Sequence, residues 1–241
     1  MPKLLVLYVF HIFNERVKHF IDNCIFEDDN VDFVIISNDK SNIFEVPNYV
    51  MTLHRDNIGY DFGGWSEALL TKETLLNKYL YERYDHFIFV NSSVMGPFLP
   101  SYYKGKWTDI YVNGLQNNVK LFGSTINTDP CIHVQSYIFS MNKETLSYLI
   151  GCEIFSVSNY AKTFHETIFN NEILMSTKII ENGWNIDSLL KIYKGVDFTF
   201  KTKKKEEYNI AFLDDVMYPQ FRNNIWNEYE LVFIKGNRVQ V

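Results

Sequence analysis

The stretch from Tyr84 to Pro100, YDHFIFVNSSVMGPFLP, decides how the rest of the chain is read. His86 to Val90 is a short β-branched and aromatic run with no polar residue after His86, the mark of a strand buried on both faces. It opens onto Asn91, Ser92 and Ser93, and Gly96-Pro97 then turns the chain away. In open α/β sheets, ligands sit just beyond the carboxyl ends of the strands. Three small polar side chains carried to that edge by a rigid strand are therefore candidates for binding chemistry. Taken alone, they are also good turn formers that need do no more than begin a loop.

Upstream, Leu4 to Phe10 reads as a buried strand and Asn14 as the cap of a helix through Cys24, with Val17, Phe20, Ile21 and Cys24 on one face. Val31 to Ser37 is a second strand, the turn cluster Asn38 to Asn42 follows it, and Tyr49 to Leu53 is a third. This β-α-β-loop-β order predicts parallel strands. No GxGxxG follows the first strand, so a dinucleotide fingerprint is missing. Between the third strand and a helix expected from Ser66 to Tyr81 lies His54 to Trp65, HRDNIGYDFGGW. Its glycines would let backbone approach a ligand, and a helix start offers free N–H groups to an anion. Arg55 can fork onto a phosphate and Asp61 can accept from ribose or base donors; a structural salt bridge between the two is the alternative.

Downstream, Ser101 to Asn118 has no clear period. Lys120 to Gly123 begins another strand, and Cys131 to Met141 alternates as a strand with one wet face would. Asn142 caps a helix through Ile150. Asn159 to Asn182 holds one long or two broken helices, clearest from Asn171 and ended by Gly183. Trp184 to Leu190 is a short extended piece. The tail from Tyr208 carries Asp214, Asp215, Tyr218 and Pro219, and ends in YELVFIKGNR, residues 229–238, apolar enough to pack back on the body. Without an internal repeat or a low-complexity linker, residues 1–241 read as a single α/β domain.

The 241 residues, 46% hydrophobic and 17% aromatic, suit a folded globular protein. A net charge of -6 argues against a general nucleic-acid binder. The one basic run, Lys201 to Lys205, meets Glu206 and Glu207 at once and reads as a solvated loop. Cys24, Cys131 and Cys152 fit neither a disulfide framework nor a zinc motif, so a reducing compartment is expected. The opening MPKLLVLYVF runs straight into polar residues without a cleavage site, and no run approaches membrane-span length. The expectation is a soluble, cytoplasmic protein.

Four blocks together resemble a GT-A nucleotide-sugar glycosyltransferase of the rhamnan-synthesis type, with relatives in large DNA viruses. Arg55 to Gly63 resembles the family's R-x-N-x-G-x-D-x-G block along the donor nucleotide. Phe89 to Phe98 resembles its N-[DS]-S-x-x-G-P block, and Gly123 to Phe139, GSTINTDPCIHVQSYIF, its strand pair. Asn171 to Ser176 with Gly183 to Ile186 resembles the inverting pattern of an acidic residue, then L-S, then a helix end. They stand in the family's order across nearly the whole chain.

The resemblance implies a GT-A, Rossmann-like fold with a mixed, mostly parallel sheet. Its nucleotide-binding half would be about 1–100 and its acceptor and catalytic half about 101–241. It implies a sugar transferred from a UDP-, GDP- or dTDP-linked donor to a glycan hydroxyl, in a viral or bacterial polysaccharide pathway. Arg55, Asn57, Gly59, Asp61, Gly63, Asn91, Ser92 and Ser93 would bind the donor, and Lys235 and Arg238 its phosphates. Glu172, at a helix start, would be the general base of an inverting transfer, with Glu166 its nearest competitor; an acidic residue there also suits the macrodipole. His133, Gln135 and Trp65 would line the sugar or acceptor pocket, although a histidine and a tryptophan in such runs also suit structural and core roles. Where such enzymes carry Asp-x-Asp to hold Mn²⁺ or Mg²⁺, this chain reads Asn91-Ser92-Ser93. Either the nucleotide carries most of the ion, with Asn91 and Ser93 completing its shell, or a distant aspartate, Asp61 or Asp129, supplies the charge; metal-free stabilisation by Arg55, Lys235 or Arg238 is the further alternative. A catalytically silent domain that only binds nucleotide or glycan is the second reading, and a nucleotidyltransferase the third.

Overall fold

The structure is a computed structural model that describes residues 2–73, 77–213, 220–221, 224–225 and 227–236. Seven strands make the central sheet: β1 Leu4–Phe10, β2 Val31–Ser37, β3 Met51–His54, β4 His86–Asn91, β5 Val119–Gly123, β6 Ile138–Asn142 and β7 Asn185–Ser188. Their order is β7-β5-β6-β4-β1-β2-β3, and β6 alone runs antiparallel to its neighbours. The expected mixed, mostly parallel sheet flanked by helices is thus borne out.

Both faces of the sheet are covered, which is why β1 and β4 are apolar without alternation. Leu5, Leu7, Val9, Phe87 and Phe89 enter one core; Val6, Tyr8, Phe10, Ile88 and Val90 enter the other. The first core is an aromatic slab in which Trp65 meets Phe62, Phe89 and Phe139 edge-on at ring separations of 5.1–5.5 Å. On the opposite face lies helix α1 Glu15–Cys24, whose buried residues are Val17, Phe20, Ile21 and Cys24. The Asn14 side chain caps α1 by accepting from the Arg16 and Val17 N–H groups, as its sequence predicts.

Helix α2 is Tyr60–Leu69, six residues earlier than expected. Gly63 and Gly64, read as a ligand-approach loop, lie inside it. A Cβ on Gly63 would stand 2.1 Å from the Ile58 carbonyl oxygen, and one on Gly64 would stand 2.9 Å from Val9 Cγ2. The glycines let the helix close onto its own entry turn and onto the sheet, and a helix-propensity scan penalises them for it. Helix α3, Trp107–Asn113, lies in the segment without a clear period, its buried Trp107, Thr108 and Tyr111 facing the core.

The expected Cys131–Met141 strand is two elements. His133–Val134 pairs with Ile126–Asn127 in a small hairpin, and β6 then enters the middle of the sheet, buried through Met141. Helix α4, Lys143–Gly151, follows with Asn142 as its cap. Helix α5, Phe164–Thr167, continues through a π-helical turn, Ile168–Ile173, into α6, Leu174–Glu181. The C-terminal segment packs back as its composition predicts. Helix α7, Glu228–Leu231, leads into Phe233, which is fully buried, and Ile234–Lys235 pairs with Val94–Met95 just beyond β4.

Candidate active site

After β1 the chain crosses to β2 on one side, whereas β4 adjoins β1 on the other, so the loops leaving these two strands part. Such a switch point opens a crevice at the carboxyl edge of an α/β sheet. Asn91 ends β4 on this edge. Its Nδ2 donates to Asp61 Oδ2 at 3.0 Å and its Oδ1 accepts the Ser93 N–H at 2.9 Å. Asp61 reaches the crevice from the first turn of α2. Burial pushes its carboxyl up to about 6; the Asn91 bond pulls it down, the nearby negative charge of Glu172 pushes it up, and Lys235 pulls it down.

Glu172 arrives from the other side, in the π-helical turn. Such turns are often retained at functional sites. Its Oε1 accepts the Ser136 N–H at 3.0 Å and stands 3.8 Å from His133 Nε2. Ser136 begins the turn into β6, and β6 lies beside β4, which brings Glu172 to the strand end. Its side chain keeps 16% exposure, and Oε2 makes no hydrogen bond among the described residues. His133 Nδ1 lies 2.7 Å from the Cys131 carbonyl and must donate to it, so the ring pairs with Glu172 when Nε2 is protonated as well. Glu172 sits within a continuous helical segment and not at a helix start, so the macrodipole account of it falls away. Glu166 is a local cap, accepting the Lys162 N–H at 2.7 Å.

Ser92 and Ser93 shape the rim through their backbones. Arg16 Nε donates to the Ser92 carbonyl at 3.2 Å, and the Gly236 N–H donates to the Ser93 carbonyl at 2.7 Å. Lys235 is thereby pinned beside the β4 end, opposite Val94. Sequence reading passed over Arg16 because the first turn of an amphipathic helix carries no phosphate signature. Arg238, Asp214 and Asp215 lie outside the described residues.

Other predicted ligands are placed elsewhere. Arg55 is 3% exposed, and its guanidinium is consumed. Nε donates to Glu67 Oε2, Nη1 to Asn38 Oδ1 and Nη2 to the Ile58 carbonyl, each at 2.7 Å. It is therefore no phosphate fork and has no salt bridge to Asp61; it clamps the loop that presents Asp61. Asn38, read as a turn residue, completes the clamp by donating from Nδ2 to the Tyr60 carbonyl at 3.1 Å. Gly59 (φ 73) and Tyr60 (φ 54) are both left-handed, and a tyrosine there carries a strain of about 1–2 kcal/mol. Gly59 serves packing, since a Cβ on it would meet Tyr160 Cδ1 at 2.6 Å. Asn57 is exposed beside an open cavity. Trp65 is fully buried in the aromatic slab and offers no face to a sugar. Gln135 is 3% exposed, its amide oxygen taken by the Thr125 hydroxyl at 2.7 Å, so it points inward and away from an acceptor.

The described residues contain no group of three or more His, Cys, Asp or Glu able to hold a metal ion, and Asp129 joins no such group. Asp61 brings one carboxylate, which suits an Mg²⁺-like ion only if substrate phosphates supply most of its shell. Asn91 does not fit as a ligand: it turns its amide N–H toward Asp61, and its oxygen holds the Ser93 N–H. No helix among the described residues is long and apolar enough to cross a membrane.

A polar crevice holding two carboxyl groups and a lysine at the switch point of such a sheet suits the ligand-binding site of an α/β protein. The chain belongs to the rhamnan synthesis protein F family, whose model matches residues 33–226. A virulence protein, VirA of Vibrio anguillarum, is 30% identical over 95 residues, 39% of this chain and 27% of that protein. The chain thus matches about a quarter of that relative's length. Among solved structures, the glycosyltransferase GlyE of Streptococcus pneumoniae TIGR4 is 9% identical over 83% of this chain and 48% of its own, with a TM-score of 0.41. The catalytic domain of Drosophila beta1,4galactosyltransferase 7, complexed with xylobiose, is 8% identical over 85% and 75%, with a TM-score of 0.36.

Proposed function

We propose that the chain transfers a sugar from a nucleotide-sugar donor to a glycan hydroxyl with inversion, using Glu172 as the general base. One observation carries this reading: Asp61, Asn91 and Glu172, from three distant parts of the sequence, meet at one strand edge, and one Glu172 oxygen has no hydrogen-bond partner among the described residues. The acceptor oxygen attacks the anomeric carbon while Glu172 Oε2 takes its proton. The bond from that carbon to the diphosphate oxygen breaks, and the nucleoside diphosphate leaves with the electron pair. The sugar passes through an oxocarbenium-like state, so fixed charge near the leaving group lowers the barrier most. Lys235 and Arg16, both beside the β4 end, are our candidates for that work. The Ser136 N–H holds Glu172 through its other oxygen, with the His133 ring 3.8 Å from it. A divalent ion, when bound with the donor, would neutralise the diphosphate from Asp61.

The experiment is a thermal-shift panel of UDP-, GDP- and dTDP-sugars, with and without Mn²⁺, on the wild type and on Glu172→Gln. A bound donor raises the melting temperature by mass action. Glu172→Gln should keep that shift and lose transfer, or slow donor hydrolysis, by about 10²- to 10⁴-fold. If no donor stabilises the wild type, the donor site is misassigned; if Glu172→Gln turns over normally, the base is.

A further inference from the structure

An aromatic shelf flanks the crevice, and the mechanism above makes no use of it. Phe164 is 67% exposed and Phe169 is 43% exposed, in a helical segment where the opposite face is buried. The Tyr60 ring meets Phe164 edge-on at 6.1 Å, and His165 stacks on Phe169 at 4.4 Å. Beside them opens a cavity of about 700 Å³, lined by Asn57 to Tyr60 and Ser158 to Lys162. Contiguous exposed apolar surface marks an interaction site, and this volume is in the range of ligand pockets.

Two facts tie the shelf to the chemistry. Tyr60 immediately precedes Asp61, and Phe169 lies three residues before Glu172 in the same π-helical turn, so the rings sit on both elements that carry the crevice's acids. Tyr60 is also held in a left-handed conformation that tyrosine resists. It is kept there by the Asn38 bond to its carbonyl and by the Arg55 bond to the Ile58 carbonyl. Strain kept by a buried network at such a place is a mark of function. Aromatic faces stack on the C–H faces of sugar rings, while the amides of Asn57 and Asn159 and the Lys162 ammonium offer partners for hydroxyls.

We propose that Tyr60, Phe164 and Phe169, with the cavity bordered by Asn57, Asn159 and Lys162, bind the glycan chain that accepts the sugar, directing its terminal hydroxyl to Glu172. This rests on the reading of Glu172 as the base. It places acceptor recognition on exposed rings, where the buried Trp65 cannot supply it.

The test is calorimetric titration of linear tetra- to hexasaccharides of rhamnose, glucose, galactose and N-acetylglucosamine into the wild type, Phe164→Ala, Phe164→Tyr and Phe169→Ala. The donor thermal-shift panel is run on the same proteins. Loss of one stacking ring should weaken glycan binding about tenfold, with Phe164→Tyr near wild type and the donor-induced shift unchanged. Unchanged glycan affinity in both alanine variants overturns the shelf and makes it a protein-contact surface. Donor binding with no glycan bound by the wild type also overturns it. Glycan binding without any donor shift leaves the shelf standing and removes the donor-site reading.

Discussion

Asp61→Asn tests the electrostatics of the crevice most directly. The change keeps the shape of the side chain and leaves an amide oxygen to accept from Asn91 Nδ2, so it removes charge with little else. Burial, first, and then Glu172 lift the Asp61 carboxyl from 3.8 to about 6, against the pull of Asn91 and Lys235. A carboxyl whose folded pKa is raised favours the native state while it is protonated. That contribution is fully present below about 4 and is lost as the pH rises through about 6. Roughly two units at 1.36 kcal/mol each put the cost of the ionised group at about 3 kcal/mol above pH 6. Urea unfolding from pH 4 to pH 8 should show Asp61→Asn matching the wild type at the acid end and gaining up to ~3 kcal/mol at the alkaline end. For a chain of this size that is about 6–12 °C in melting temperature. Asp187, which burial also pushes up to about 6, contributes the same slope to both proteins and cancels in the difference. A variant no more stable than the wild type at pH 8, or an offset independent of pH, would refute the reasoning.

Arg55→Ala leaves Glu67, Asn38 Oδ1 and the Ile58 carbonyl without their shared donor and should cost about 2–4 kcal/mol by urea unfolding; Arg55→Lys should recover little, because one ammonium cannot span three acceptors. Gly63→Ala drives a methyl group into the Ile58 carbonyl and should cost about 2–4 kcal/mol with weaker donor binding; a neutral result would mean α2 does not start at Tyr60. Without a divalent ion, donor affinity should fall about tenfold as the pH rises through about 6 and Asp61 ionises beside the diphosphate. With Mn²⁺ the trend should reverse, and a flat metal-free profile would separate Asp61 from the phosphates.

The sheet was legible because its strands are buried on both faces. Leu4–Phe10 and Val31–Ser37 stand where their apolar runs put them, and the Asn14 and Asn142 caps follow from side-chain chemistry that needs no tertiary partner. Reading failed where tertiary contact overrides local preference. Glycines that oppose a helix begin α2, because only a bare Cα lets it close on Ile58 and Val9. The same blindness reassigned Arg55: an exposed arginine and one spending its three nitrogens on Glu67, Asn38 and Ile58 look alike in a sequence. Trp65 proves to be a core residue for a related reason, since only packing tells a core aromatic from a displayed one such as Phe164.

Asn91 leaves the end of β4 without an acid, and the carboxyl is supplied from α2. Asn91 orients Asp61 by donating to it, which an aspartate at 91 could not do unless protonated. Two ionised carboxylates in that contact would repel and push one another's protonation upward. An amide there leaves the repulsion to the Asp61–Glu172 pair alone, with Lys235 offsetting part of it. The two acids then divide by environment. Asp61 is lifted by burial to where it can gain or lose a proton near neutrality, while Glu172 holds a backbone N–H on one oxygen and, among the described residues, leaves the other without a hydrogen bond. On the proposed mechanism, Asp61 answers the charge of a phosphate while Glu172 receives a proton. Arg55 underwrites it from outside the crevice, because the loop it clamps is what sets Asp61 against Asn91.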